Sequence, residues 1–274
     1  MQRTLIRLVK VTPLGFWYGI TALVIPFYVL FDGKARRVSY RFFRERMGYG
    51  RLKAARHVFI NMFGLGKVVI DRFAAYAGKR FGLVCDHLER YDQAKGAQIN
   101  FSCHMGNYEM GGYMLRSDRP MRVLVYAGET ATVMQNRSRM FGETNISMIP
   151  VSPDMSHLFA INAALSSGEI VSIPADRTFG SRKTLRIPFL GEEAAFPAGP
   201  FTLAVQREVP ALAVFVLKES TRDYRIILEN MHIPTEGSTA EKVESLAREY
   251  VAALEKVVRQ YPDQWYNFYD FWAE

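Results

Sequence analysis

Ile99-Asn100-Phe101-Ser102-Cys103-His104-Met105-Gly106-Asn107-Tyr108-Glu109 is the stretch on which the reading of the fold turns. Its first five residues make a strand-like run, Gly106 and Asn107 mark a turn, and an apolar stretch from Tyr108 to Leu115 opens a helix. A strand passing through a tight turn into a helix is the repeating unit of α/β proteins. Outward from it, β-rich runs at residues 99–103, 122–126, 146–150, 170–173, 211–217 and 224–229 alternate with helical stretches at 108–116, 130–141, 155–166 and 197–207. This alternation predicts an α/β fold with a mixed, largely parallel central sheet covered by helices, and function at the strand ends.

The end of the chain reads most clearly. Ser238 caps a last helix, Glu241 completes a capping box, and Val243, Leu246, Tyr250, Leu254 and Val257 fall on one apolar face. The tail over 261–272 is dense in aromatic residues. Punctuated by Pro262 and by acids, it reads as a cap on the core, with an interfacial aromatic belt as the alternative.

The start of the chain has another character. Residues 11–31 carry no charge and are long enough to cross a bilayer, with Arg3, Arg7 and Lys10 before them and Lys34, Arg36, Arg37 and Arg41 after. A signal peptide would have a shorter apolar region and a small-residue cleavage site. Positive charge on both flanks, with Pro13 and Pro26 inside, fits a segment lying in one leaflet as well as one that spans, and a buried core helix is the third reading. Basic helical stretches follow at 34–47 and at 52–77, the second interrupted by Gly64 and Gly66. The expected organisation is a membrane-associated helical region over 1–50 and an α/β domain over 51–274.

The chain has 274 residues, 49% of them apolar, enough for one large core. A net charge of +8 points to acidic partners: nucleic acid, anionic lipid headgroups or an acidic carrier protein. The two cysteines, Cys85 and Cys103, make no disulfide framework and read as buried thiols. A zinc set with His87 and His104 is disfavoured, because neighbours in a strand point to opposite faces. No nucleic-acid module or phosphate-binding loop is recognisable.

His104 and Glu109 are the residues that point to chemistry, a histidine at a strand end with a carboxylate five positions on. The spacing recurs at His87 and Asp92, but that pair sits in a charged, solvated run rather than behind an apolar strand. Asp176 and Arg177 follow the run 170–173 and so also stand at a strand end, as acceptor contacts or as an ordinary turn pair. In Asn136-Arg137-Ser138-Arg139 the residues alone suggest a solvated helix face. The prolines of Phe196-Pro197-Ala198-Gly199-Pro200 start a helix or line a tunnel.

Together these segments resemble the late acyltransferases of lipid A biosynthesis, within the lysophospholipid acyltransferase superfamily. The resemblance rests on the charged-flanked apolar N-terminus, on Cys103 to Glu109, and on Ile173-Pro174-Ala175-Asp176-Arg177-Thr178, which differs from the family's usual aspartate-rich version. It rests equally on Ile187-Pro188-Phe189-Leu190-Gly191, on Phe196 to Ala204, on Val209-Pro210-Ala211-Leu212 and on Tyr261-Pro262-Asp263-Gln264-Trp265. It implies an O-acyltransferase at the inner membrane with its catalytic domain facing the cytoplasm. A fatty acyl chain would move from acyl carrier protein or coenzyme A to a lipid hydroxyl, without metal or cofactor. His104 would be the general base, and Glu109 would hold its imidazole in the right tautomer. Gly106 would allow close backbone approach, and N–H groups near Gly106 and Asn107 would assist an oxyanion or phosphate. Asp176 and Arg177 would meet the acceptor, Arg177 through an anionic headgroup, and Arg137 would reach the site.

Other chemistry fits less well. A lysophospholipid or aminoacyl lipid is the runner-up acceptor. A lipase or thioesterase built on Ser102 or Cys103 lacks the nucleophile-elbow motif. A basic membrane-surface protein without catalysis leaves the later motifs unexplained.

Overall fold

The computed structural model describes the chain except for residues 1, 93–94, 116–117, 127, 129–130, 143, 152–155, 179–180, 182 and 273–274. The starts expected at Thr130 and Met155, and the end expected at Arg116, fall on or beside this undescribed set. Four α-helices and a π-helical turn come first: α1 (Gln2–Val11), α2 (Leu14–Phe31), α3 (Gly33–Arg41), the π-helical turn (Phe42–Arg46) and α4 (Arg51–Tyr76). Strands and helices then alternate: β1 (Gly82–Asp86), α5 (Glu89–Asp92), β2 (Gln98–Ser102), α6 (Tyr108–Met114), β3 (Met121–Tyr126), α7 (Ala131–Phe141), β4 (Ile146–Val151), α8 (Ser156–Ser166) and β5 (Ile170–Pro174). After these come β6 (Thr184–Phe189), β7 (Glu192–Pro197), α9 (Gly199–Arg207), β8 (Ala211–Lys218), β9 (Asp223–Met231), α10 (Thr239–Gln260) and a 3-10 turn (Pro262–Gln264).

Seven strands form the central sheet in the order β1-β9-β8-β2-β5-β3-β4, parallel throughout except for the β8–β9 pair. The mixed, largely parallel sheet expected from the alternation is therefore present. β8, Ala-Leu-Ala-Val-Phe-Val-Leu-Lys, is buried from Ala211 to Leu217, as a strand covered on both faces requires. The capping box starts α10 as read: Glu241 N–H donates to Ser238 Oγ, and Ser238 N–H donates to Glu241 Oε2 at 2.7 Å. All five predicted apolar positions of α10 are buried.

Three strands go beyond the sequence reading. β1 lies at the sheet edge and overlaps the run read as charged and solvated only at Cys85 and Asp86; its residues stay partly exposed, so Cys85 is not the buried thiol expected. β6 and β7 form a separate hairpin, which Pro188 and Pro197 obscured; proline is tolerated in a two-stranded ribbon with open edges. Its two-residue turn has Leu190 at φ +53° and Gly191 at +90°, the handedness that suits strand twist. A hydrogen bond from Leu190 N–H to Glu255 of α10 pins it at 2.7 Å. The C-terminal tail caps this hairpin. Trp265, Phe271 and Trp272 ring Phe189 at centroid distances of 5.6, 5.7 and 6.0 Å.

α4 is one continuous helix through Gly64 and Gly66. Among the described residues α2 alone is long and apolar enough to cross a membrane, and only 11% of it is buried, which removes the buried-core reading.

Candidate active site

β2 and β5 pair in parallel with Ser102 opposite Pro174. Ala175 N–H continues the ladder by donating to Ser102 O at 2.9 Å. Two residues past each paired end stand His104 and Asp176, and the equal offsets bring them together. Asp176 Oδ2 accepts the His104 backbone N–H at 2.8 Å, and Oδ1 lies 2.8 Å from His104 Nδ1. Asp176 is buried. Burial acts to raise its carboxyl pKa, but the charge and hydrogen bonds of His104, with Arg177 beyond, outweigh burial and hold it below the ordinary range. An ionised Asp176 can only accept, so Nδ1 is the nitrogen that donates to it, and in the neutral ring that leaves Nε2 as the acceptor.

The turn after His104 is clamped. Gly106 has φ +58°, and a Cβ there would lie 1.9 Å from Val216 O. Only glycine tolerates this approach to β8. The N–H groups of Gly106 and Asn107 do not have the role expected of them: they donate to Gln264 O and Val216 O, each at 2.8 Å. The turn packs directly onto β8 and the tail, which absorb both donors. Asn107 is buried, and its side chain donates to Tyr224 Oη at 3.1 Å.

Glu109 also departs from expectation. Its carboxylate accepts from Arg72 Nη1 at 3.0 Å, Arg137 Nη2 at 2.6 Å, Tyr76 at 3.1 Å and Tyr113 at 3.3 Å. The first turn of α6 aims Glu109 at α4 and α7, so two guanidiniums claim it, and the orienting carboxylate at His104 is Asp176. Burial would raise the Glu109 pKa; Arg72 and Arg137 reverse this and lower it. Burial, and after it the same carboxylate, pushes the Tyr76 phenol up to about 12. Arg137, which the residues alone left on a solvated face and the resemblance placed at the site, is buried on Glu109 and reaches that cluster rather than the cavity wall.

A cavity of about 270 Å³ opens beside His104. Leu65, Val68 and Arg72 of α4 form one wall, with Tyr108, Arg177 and Tyr266 around the histidine. Arg177 donates to Tyr266 O at 2.8 Å, and both Asp176 oxygens are engaged by His104, so the two are no self-contained turn pair. The Nε atoms of Arg72 and Arg177 are buried without a hydrogen-bond partner among the described residues. Arg72 is a site residue the sequence did not single out, since its helix precedes the strands and shows no motif. Cys103 is buried next to the site, where burial first and then Asp176 push its thiol well up, so it is held as the thiol.

A family model described as bacterial lipid A biosynthesis acyltransferase matches residues 61–273. The chain belongs to this family. No individual curated protein matches it. The lipid A biosynthesis acyltransferases are membrane-type acyltransferases, and this one carries an N-terminal apolar helix outside the matched span. Within that span fall all the expected site residues, His104, Gly106, Asn107, Glu109, Arg137, Asp176 and Arg177, together with Arg72.

Proposed function

We propose that the protein transfers a fatty acyl group from an acyl carrier protein thioester, or from acyl coenzyme A, to a hydroxyl of a lipid A-type glycolipid or related lipid. The place is the inner membrane, with the α/β body facing the cytoplasm. One observation carries the chemistry: a histidine at the cavity wall whose Nδ1 is bonded to a buried aspartate. His104 Nε2 takes the proton of the acceptor hydroxyl as its oxygen attacks the thioester carbonyl. The tetrahedral intermediate collapses, the C–S bond breaks, and the imidazolium returns the proton to the leaving thiolate. Asp176 fixes the tautomer and stabilises the imidazolium, as the acid of a serine triad does. Donor and acceptor alone balance the reaction.

Arg72 and Arg177 give the cavity positive potential for an anionic acceptor group or the negative charge on the carbonyl oxygen, and Leu65 and Val68 give it an apolar wall. The excess of basic residues favours the acidic carrier protein as donor.

The test is acyl transfer by purified full-length protein with each donor. His104→Ala and Asp176→Asn are expected to lower turnover by roughly 10³-fold or more, as loss of a triad member does. Near-normal turnover in either folded variant removes this mechanism. A lysophospholipid or aminoacyl lipid accepted in place of the glycolipid changes the acceptor and leaves the chemistry standing.

A further inference from the structure

The sequence of α2 is apolar on all sides, but its surroundings are not. Leu14, Tyr18, Thr21 and Ile25 recur at i, i+4, i+7 and i+11 and so share one face. That face is docked on α4. Leu14 clusters with Val9 and Ala74, Tyr18 is hydrogen-bonded to Asp71, and Thr21 and Ile25 press on Gly66. Phe16, Ile20, Leu23, Phe27, Leu30 and Phe31 lie opposite and are exposed, Leu23 by 73% and Phe27 by 62%. A folded monomer rarely leaves so long an apolar stripe in water.

α4 cannot follow α2 into hydrocarbon. It carries Arg56, Lys67, Asp71 and Arg72, and its Leu65, Val68 and Arg72 line the cavity. Asn61 and His57 tie it to the C-terminal tail, and Asp71 ties it to Lys218 of β8 and Tyr224 of β9. An 18-residue helix is about 27 Å long, whereas a bilayer core measures about 30 Å. With the stretch from Leu14 to Ile25 fixed against α4, the free remainder is far too short to span.

We propose that α1 and α2 lie in the plane of one leaflet of an anionic phospholipid bilayer. The outer face of α2 enters the acyl layer, and the whole α/β body stays on one side. The charges fit this occupant. Arg7, Lys10, Lys34, Arg36 and Arg37 are exposed at the two ends of α2, and the first 41 residues hold the single acid Asp32.

Two measurements on the full-length protein test this, and neither reads acyl transfer, so they stand or fall apart from the catalytic proposal. In a Cys85→Ser background, Thr4→Cys and Lys34→Cys are labelled with a membrane-impermeant maleimide in right-side-out and inside-out membrane vesicles. Both are expected to react from the face that labels Glu236→Cys on the α/β body. Labelling of the two from opposite faces overturns the proposal. In flotation with phosphatidylcholine vesicles, with and without phosphatidylglycerol, Leu23→Asp with Phe27→Asp is expected to lose at least about tenfold in binding. Lys34→Ala or Arg37→Ala is expected to lose about fivefold, on the anionic vesicles alone. Undiminished binding by the double variant overturns the proposal. So does a halved mass in detergent-free solution with vesicle binding unchanged, which would make a second copy of the chain the occupant of the stripe.

Discussion

At the scale of single residues, Glu109 separates two kinds of carboxylate in this fold. It is the counter-ion of Arg72 and Arg137, whereas Asp176 holds the histidine. Glu109→Ala strands two partly or fully buried guanidiniums, and breaking such a pair costs about 3–5 kcal/mol. Glu109→Ala is therefore expected to unfold at markedly lower urea concentration, with activity falling for that reason. The pH dependence has a definite sign. The native Glu109 pKa is lowered, so its contribution to stability is complete above the unfolded value of about 4.3 and disappears as pH falls through the native one. Urea midpoints measured from neutral pH downward should fall for the wild type and show a weaker fall in Glu109→Gln. Equal slopes would mean that the carboxylate is not ionised in its cluster.

Elements explain why Asp176 was legible as a strand-end residue but not as the partner of His104. Both stand two places beyond paired strand ends, yet β5 reaches β2 only after β3 and β4 have been laid down, and this neighbourhood is not a local property of either run. Register is fixed by which strands pair, and sequence spacing favoured the nearer carboxylate. The capping box, the apolar face of α10 and six of the β runs were legible because their signals are local. Gly66 shows the opposite limit. Read as an interruption, it is a packing residue, because a Cβ there would meet Thr21 Cγ2 at 2.4 Å. Thr21 cannot turn away freely, since its hydroxyl is bonded to Trp17 O at 2.9 Å. Helix propensity alone predicts that Gly66→Ala gains about 1 kcal/mol. The contact predicts a loss instead, of roughly 1–3 kcal/mol from overpacking. Thermal unfolding of Gly66→Ala should show a lower Tm, and a higher one would mean that α2 does not sit where it is described.

At the scale of the whole molecule, the C-terminal tail joins parts of the chain that are remote in sequence. Gln264 O accepts from Gly106, Tyr266 N–H donates to His104 O at 3.3 Å, and Tyr266 O accepts from Arg177, so the tail laces the histidine turn to the arginine. From the other side Asn61 of α4 donates to Asp263 O at 2.9 Å and Trp265 O at 3.1 Å. The helix that carries α2 thus also positions the tail that positions the site. Asn61→Leu keeps the branched shape and removes both donors, leaving one buried and one partly buried carbonyl unpaired at a cost of about 1–3 kcal/mol. At roughly 2–4 °C per kcal/mol for a chain of this size, Tm should fall by about 2–12 °C. Turnover should fall as well, beyond what the unfolded fraction explains, because His104 loses the backbone frame that aims its ring. Arg248→Ala, which breaks an exposed pair on α10 with Glu244, is the matched control and should stay within about 0.5 kcal/mol at full turnover. If Asn61→Leu loses stability yet keeps full turnover per folded molecule, α4 and the tail support the fold without setting the geometry at His104.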